Sequence, residues 1–372
     1  MAGPVSYEKL IQSLNTTYPE YPFQQFGTSG ASLLYEVLRN SRRSRMVLPA
    51  FICCELSFMS VVAQKQLLHI DVDRTTLHMQ PAALESALSA GDDEDTIVLI
   101  DHSFGYACSW IKKLREEHPK LLIIEDCVRA LGASIAGQAV GHVGDYVLLS
   151  MYKTVPGNNH GAILLGNEAM VSADGPVAGD SLRQKLSQNP VARWIYERNK
   201  RRHPVFGRPN HADPREIRWA AQPGQPSQQC AQRFLADLSS VDNNRRQWKE
   251  GFEDIRDQLS KHAKLSFIQV AAGTEPAYEF LSMTVAPPVS RDSLLETLHR
   301  KGYFLLSTWD QVPAFFTALQ DSFPAKSQES VFLADQTVHI PMRLFSSRRR
   351  RHKLCEQFGA ALLLANEAKS KG

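Results

Sequence analysis

The chain has 372 residues, with 42 Lys and Arg against 39 Asp and Glu, a formal charge of +3. That length is enough for one large α/β domain with a smaller one beside it, and so even a charge balance gives no electrostatic reason to invoke nucleic acid. No apolar run approaches the roughly 20 residues that span a bilayer and MAGPVSYEKLIQSL lacks a basic-then-apolar leader pattern, while six cysteines without metal or redox spacing read as reduced thiols of a cytoplasmic protein that holds no metal.

Along the chain, a small-residue turn at Ser29-Gly30-Ala31 comes first, followed by an amphipathic helical run to residue 38. Such a turn at a helix N-terminus offers free N–H groups and the positive end of the helix dipole to an anion, although an ordinary capped turn has the same pattern. Short apolar, β-rich runs follow at 46–48, 67–72, 96–100, 121–125, 146–150 and 162–165. Between them, 33–38, 56–63, 82–88 and 110–117 have apolar residues at helical spacing. Alternation of this kind predicts an α/β fold with a largely parallel sheet covered by helices. Ligands of such sheets sit at the carboxyl ends of strands, where Asp101, Asp126 and Ser150 fall.

Residues 181–226 break the pattern, with ten basic residues against three acidic ones between 181 and 220. They read as a solvated linker with a surface helix at 192–200, or else as a lid or dimer-contact segment. Residues 227–259 predict one or two long helices leading out of the large domain. Strands at 280–285 and 337–340 and helices at 292–301 and 350–365 then predict a compact α+β unit. The expected domains are 1–240, carrying the irregular basic insert, and 241–372. The basic run 348–351 begins the last helix after Ser346-Ser347 and reads as a solvated face.

The chemistry concentrates at Asp126 and Lys153, 27 positions apart, with Ser150 three residues before the lysine. An acid, a serine and a lysine at neighbouring strand ends are what a pyridoxal phosphate enzyme needs. The lysine would hold the cofactor aldehyde as a Schiff base, and the acid would keep the pyridine nitrogen protonated so that the ring can take up electrons. Ser150 would reach the phosphate. Asp126 follows an apolar run and is expected to be buried, where a carboxylate needs a cationic partner. Glu125 faces the other side of the strand by the period of two. Lys153, desolvated beside cations, is expected to have a lowered pKa.

The stretch EDCVRALGASIAGQAVGHVGD resembles the matching segment of the DegT/DnrJ/StrS-like sugar aminotransferases, which have the aspartate aminotransferase fold, fold type I. FGTSGASLLYEVL, LPAFICC, HIDVD and HSFG are similar, in the same order, to that family's phosphate turn, substrate-side loop, strand end and His-containing turn. The resemblance implies a mostly parallel seven-stranded sheet in a large domain with a smaller α+β C-terminal domain, and a homodimer with shared active sites. It implies cofactor contacts from Ser29, Gly30, Ala31, Cys53, His102, Asp126, Arg129, Ser150 and Lys153. The implied reaction moves an amino group from an amino acid to a keto or aldehyde acceptor, such as a nucleotide-linked keto sugar.

The chain also departs from the family pattern. Ala31 replaces a threonine of the phosphate turn, Cys53 stands where an aromatic usually stacks on the ring, and Arg129 stands where Gln or His is usual. The segment YFLLSTWDQVP has Trp309 where a His-Tyr is expected, and the family's segment that crosses into the partner site is not recognisable before Ser227. These changes leave open a pyridoxal phosphate enzyme of another type, performing elimination, racemisation or carbon–carbon bond formation. A degenerate fold used for regulation is a third reading, opposed by the presence of both Lys153 and Asp126.

Overall fold

A computed structural model describes residues 5–153, 155, 158, 160–168, 224–309, 312–323 and 327–367. Most of the insert 181–226, including the helix expected at 192–200, lies outside them. Among the described residues no helix is long and apolar enough to cross a membrane.

Seven strands form the main sheet: β1 (Phe23–Gly27), β2 (Arg45–Pro49), β3 (Gln66–Ile70), β4 (Thr96–Asp101), β5 (Leu122–Asp126), β8 (Tyr146–Ser150) and β9 (Ala162–Gly166). Two short strands, β6 (Ser134–Ile135) and β7 (Gln138–Ala139), lie between β5 and β8. The order across the sheet is β1-β9-β8-β5-β4-β2-β3. Only β9 runs against its neighbours, pairing antiparallel with both β1 and β8. The expected mostly parallel sheet is therefore present, covered by helices such as Gly30–Asn40, Cys54–Val62, Pro81–Ser89 and Ile111–Glu117. Each strand but the edge ones is buried on both faces, which is why these segments read as continuous apolar runs.

Several elements are absent from the sequence-based reading, among them an edge strand of the main sheet and the first helix. Strand β1, FQQFG, is a polar edge strand with little alternation. Helix Val5–Thr17 buries only Leu10 and Leu14 among the residues facing its neighbour, the helix Gln228–Leu238, so its apolar stripe is narrow. The stretch 227–259 resolves into two helices, Gln228–Leu238 and Val241–Leu259. The first is capped by Ser227, whose Oγ accepts the Cys230 N–H.

The C-terminal part has an antiparallel sheet of β10 (Leu265–Phe267), β12 (Phe280–Val285) and β13 (Thr337–Pro341) in the order β10-β12-β13. Helices Arg291–Arg300 and Arg348–Glu367 pack beside it. Its core takes in Phe252, Ile255 and Leu259 together with Phe51 and Phe104 of the large sheet's loops. A small sheet, β11 (Thr274–Glu275) against β6 and β7, ties the two parts together. Ser347 Oγ accepts the Arg350 N–H and caps the last helix. The run 348–351 is not wholly a solvated face, because Arg351 is buried and bonds Glu250 at 2.7 Å and also Asp254.

Candidate active site

The period of two sorts the strand-end residues onto faces. On β4, Ile97 and Leu99 pack into one core cluster with Ile124 of β5, Leu148 of β8 and Ala31, Leu33 and Leu34 of the helix Gly30–Asn40. Val98, Ile100 and Ile123 pack into another on the opposite face. Continuing each strand by two residues puts Asp101, Asp126 and Ser150 on the same face as that helix. Glu125 goes to the other face, as its place in the strand requires.

Glu125 is not catalytic but a loop clamp. Its carboxylate accepts N–H bonds from Gly141, Val143 and Gly144 at 2.6–2.9 Å, and a fourth from His102 Nε2 at 2.9 Å. Burial pushes its pKa up, but His102 and the loop N–H groups outweigh that and hold it below the usual value. Of the expected cofactor contacts, His102 has its ring on the Glu125 side of the sheet. Its Nδ1 accepts the Cys108 N–H at 3.0 Å and its Nε2 faces Glu125, so both ring nitrogens are used on the far side of the sheet. The short helical turn Ser103–Gly105 follows His102, with Phe104 at φ 52°. Gly105, at φ +87°, has to be glycine. A Cβ there would sit 2.9 Å from Ala277 Cβ and 3.0 Å from the Arg129 carbonyl.

At the helix start, Ser29 Oγ accepts the Ser32 N–H at 3.1 Å and Ser32 Oγ faces the Ser29 N–H, a reciprocal cap. The N–H groups of Gly30 and Ala31 lie in the first turn, where no carbonyl of the helix reaches them. A 2.7 Å bond from the Gly161 N–H to the Thr28 carbonyl joins this turn to the loop after Lys153. Ser150 Oγ accepts the N–H groups of Tyr152 and Lys153 at 3.2 and 3.0 Å, which folds the lysine back over the strand end.

Asp126 is 4 % exposed and accepts one hydrogen bond, from the Val128 N–H at 3.0 Å. Burial pushes its pKa up, against the pull of Lys153, the Val128 N–H, His102 and Arg129. Among the described residues it has no ion-pair partner within contact distance. Lys153 is half-buried, and the expectation of a lowered pKa does not hold for it. Burial does push it down, but Tyr152, Cys53 and Asp126 together raise it above the ordinary value, with Arg129 opposing. Cys53, at the start of helix Cys54–Val62, lies within range of both Lys153 and Asp126, and burial pushes its thiol up.

Arg129 sits just beyond β5 with its guanidinium carbon 5.0 Å from the Phe280 ring centre and 5.6 Å from that of Phe104. Its Nε is buried without a hydrogen-bond partner. Close by is a residue that sequence patterns did not single out. Glu279, 1 % exposed, has no partner for either carboxylate oxygen among the described residues. Burial pushes it up to about 7, against Arg129 and Arg343. The residue before it, Tyr278, is held at φ 58°. Side chains with hydrogen-bonding capacity left over in a buried place, next to strained backbone, mark where a ligand supplies what is missing.

These residues fit pyridoxal phosphate. A buried carboxylate with no cation in contact suits a protonated pyridine nitrogen, a helix start whose Gly30 and Ala31 N–H groups the helix itself does not use suits a phosphate, and Lys153 follows Ser150 within range of that carboxylate. The sheet order, its single antiparallel strand and the placement of this set at the strand ends are those of the fold-type-I pyridoxal phosphate-dependent transferases. Residues 25–172, the part of the chain that carries these strand ends, match the DegT/DnrJ/EryC1/StrS aminotransferase family.

A lipopolysaccharide biosynthesis protein, RfbH, from Salmonella typhimurium is 32 % identical over 85 residues, which cover 22 % of this chain and 18 % of that protein. A DegT DnrJ EryC1 StrS aminotransferase from Brucella abortus has the same fold, with a TM-score of 0.72 at 17 % identity over 97 % of this chain and 91 % of its own. Spr1654 from Streptococcus pneumoniae, solved in a PMP form and a PLP form, aligns over 98 % of this chain at 14 % identity. Its PMP form is covered over 93 % and gives 0.69, and its PLP form is covered over 92 % and gives 0.68.

Proposed function

We propose that this protein is a pyridoxal phosphate-dependent aminotransferase that takes an amino group from an amino acid and gives it to a keto or aldehyde acceptor, with a nucleotide-linked keto sugar as the acceptor class. What supports the reading is that Asp126 and Ser150 continue the strand face covered by the helix that starts at Gly30, with the Lys153 N–H bonded to Ser150, inside the segment that matches the family. When bound, the cofactor supplies an aldehyde that captures amines and a ring that takes up electrons from the substrate carbon. Lys153 Nζ would hold the aldehyde and would carry a proton to and from the substrate carbon. Asp126 keeps the ring nitrogen protonated. Ser29, Gly30, Ala31 and Ser150 hold the phosphate, while Cys53 and Arg129 flank the ring. His102 acts only through Glu125 and the loop that it braces.

The chain divides near residue 240 in this reading. Residues of helix Gln228–Leu238 pack into the large-sheet core, whereas those of Val241–Leu259 pack with the C-terminal sheet. We take the working unit to be a homodimer, since most soluble oligomers are two-fold symmetric. Sedimentation of the purified protein tests that, and a monomer with full turnover would contradict it.

A second reading keeps the cofactor and changes the reaction, because Cys53 and Arg129, whose Nε is left without a hydrogen-bond partner among the described residues, stand where the family has other side chains beside the ring. One experiment separates the two. The cofactor-loaded protein is bleached with L-glutamate and then offered a panel of keto compounds. Return of the visible colour identifies an acceptor, and a protein that L-glutamate and other amino acids never bleach is not an aminotransferase. In the same assay Arg129→Gln is expected to raise KM for a carboxylate-bearing substrate about tenfold or more, the scale of losing a charge-assisted bond, and to leave a phosphate-bearing one unchanged. Replacing Arg193, Arg198, Arg201, Arg202 or Arg343 is expected to do the reverse.

A further inference from the structure

We infer that Asp101 is a positioning residue for Asp126, a neutral carboxylic acid that donates its proton in a hydrogen bond to the Asp126 carboxylate. Its consequence rests on the proposed function, because Asp126 matters to catalysis only as the partner of the ring nitrogen. Asp101 and Asp126 are direct partners in the parallel pairing of β4 with β5. Partnered residues of neighbouring strands leave the sheet on the same face and lie about 5 Å apart. Both are buried, at 6 % and 4 % exposure.

Two carboxylates at that spacing, away from water, do not both ionise. The surroundings decide which one keeps the proton. Asp126 accepts the Val128 N–H and lies within range of Lys153, His102 and Arg129, all of which favour its charged form. Asp101 accepts a hydrogen bond from the Ser103 hydroxyl and feels Lys153 and Arg129, but burial and the Asp126 charge push it much further up. Cys53 lies within range of Asp126, Cys127 within range of both carboxyl groups and Cys108 within range of Asp101, and burial pushes all three thiols up, so they add no charge to the pair. A cation held at Asp126 would strengthen the asymmetry. The arrangement fixes the Asp126 carboxylate from its flank without adding a second negative charge beside the ring.

The test compares the wild-type protein with Asp101→Asn, which keeps a neutral donor of the same shape, and Asp101→Val, which keeps none. Infrared difference spectra of wild type against Asp101→Asn at neutral pH are expected to show the stretch of a protonated carboxyl group. Its absence overturns the inference, and this holds whether or not cofactor is bound. In the apo protein titrated with pyridoxal phosphate, Asp101→Asn is expected to bind within about twofold of wild type and Asp101→Val about tenfold more weakly. The pH midpoint of the visible band should stay in place in the first and move in the second. If Asp101→Asn shifts the midpoint as Asp101→Val does, or if Asp101→Val matches wild type in both measurements, the inference is wrong. A wild-type protein that shows the carboxyl stretch but takes up no cofactor would instead contradict the proposed function.

Discussion

Asp126→Ala is expected to give a folded protein whose turnover falls by about 10²–10³, the scale seen when one preorganised electrostatic partner is removed. In the wild-type site the carboxylate is buried with a single N–H bond and, among the described residues, no ion pair in contact, so a protonated ring nitrogen would be the cation it meets directly. Without it the ring loses its proton and with it the capacity to take up electrons. Structural damage is not the expected cause of the loss. A buried carboxylate that burial pushes upward costs stability as it ionises. Thermal unfolding of the apo variant should therefore be no earlier than that of wild type. Turnover within a few-fold of wild type would remove Asp126 from the mechanism.

Glu279→Gln is expected to stabilise the ligand-free protein, and only at higher pH. The folded carboxyl sits at about 7 against an ordinary 4.5. Between those values the folded protein keeps a proton that the unfolded chain loses, so stability declines as the pH rises through the interval. Below 4.5 the stability is fully present, and above about 7 it is lost. The interval corresponds to about 3 kcal/mol. Melting curves of wild type and Glu279→Gln should therefore coincide near pH 4.5 and separate by several degrees at pH 8, with the variant more stable. The same carboxylate has no donor for either oxygen among the described residues, so a substrate hydroxyl or ammonium is the partner it lacks. A variant that pays for its gain in stability with weaker acceptor binding would join the two observations. Curves that stay parallel at all pH values would show that Glu279 is not buried unpaired.

Much of the site was legible because strand ends are local features. A run of apolar β-formers that stops at an acid or a serine states both the burial and the face of that residue, and Asp126, Ser150 and Glu125 all behave as the period of two requires. The helix start at Ser29 was legible for the same reason, being a small-residue turn ahead of an amphipathic run. Glu279 was not, since its burial comes from the packing of residues 277–280 against the Gly105 turn and Arg129, more than a hundred positions away in the chain. The role of His102 depended on its ring bonding Glu125 and the Cys108 N–H, which residue types alone do not say. Arg351 looked like part of a solvated run until Glu250 and Asp254 of another helix were placed against it. Asp101 was visible as a strand end, but its pairing with Asp126 is a matter of register between strands, and register comes from the whole sheet.

The central claim is that Lys153 holds pyridoxal phosphate. The most direct test is to load the purified protein with the cofactor, record its visible absorbance, reduce it with borohydride and map the modified peptide. The expected result is a visible band that borohydride abolishes, with the added mass on Lys153 and on no other lysine. A protein that stays colourless and takes up no added cofactor, or a label found elsewhere, would contradict the account.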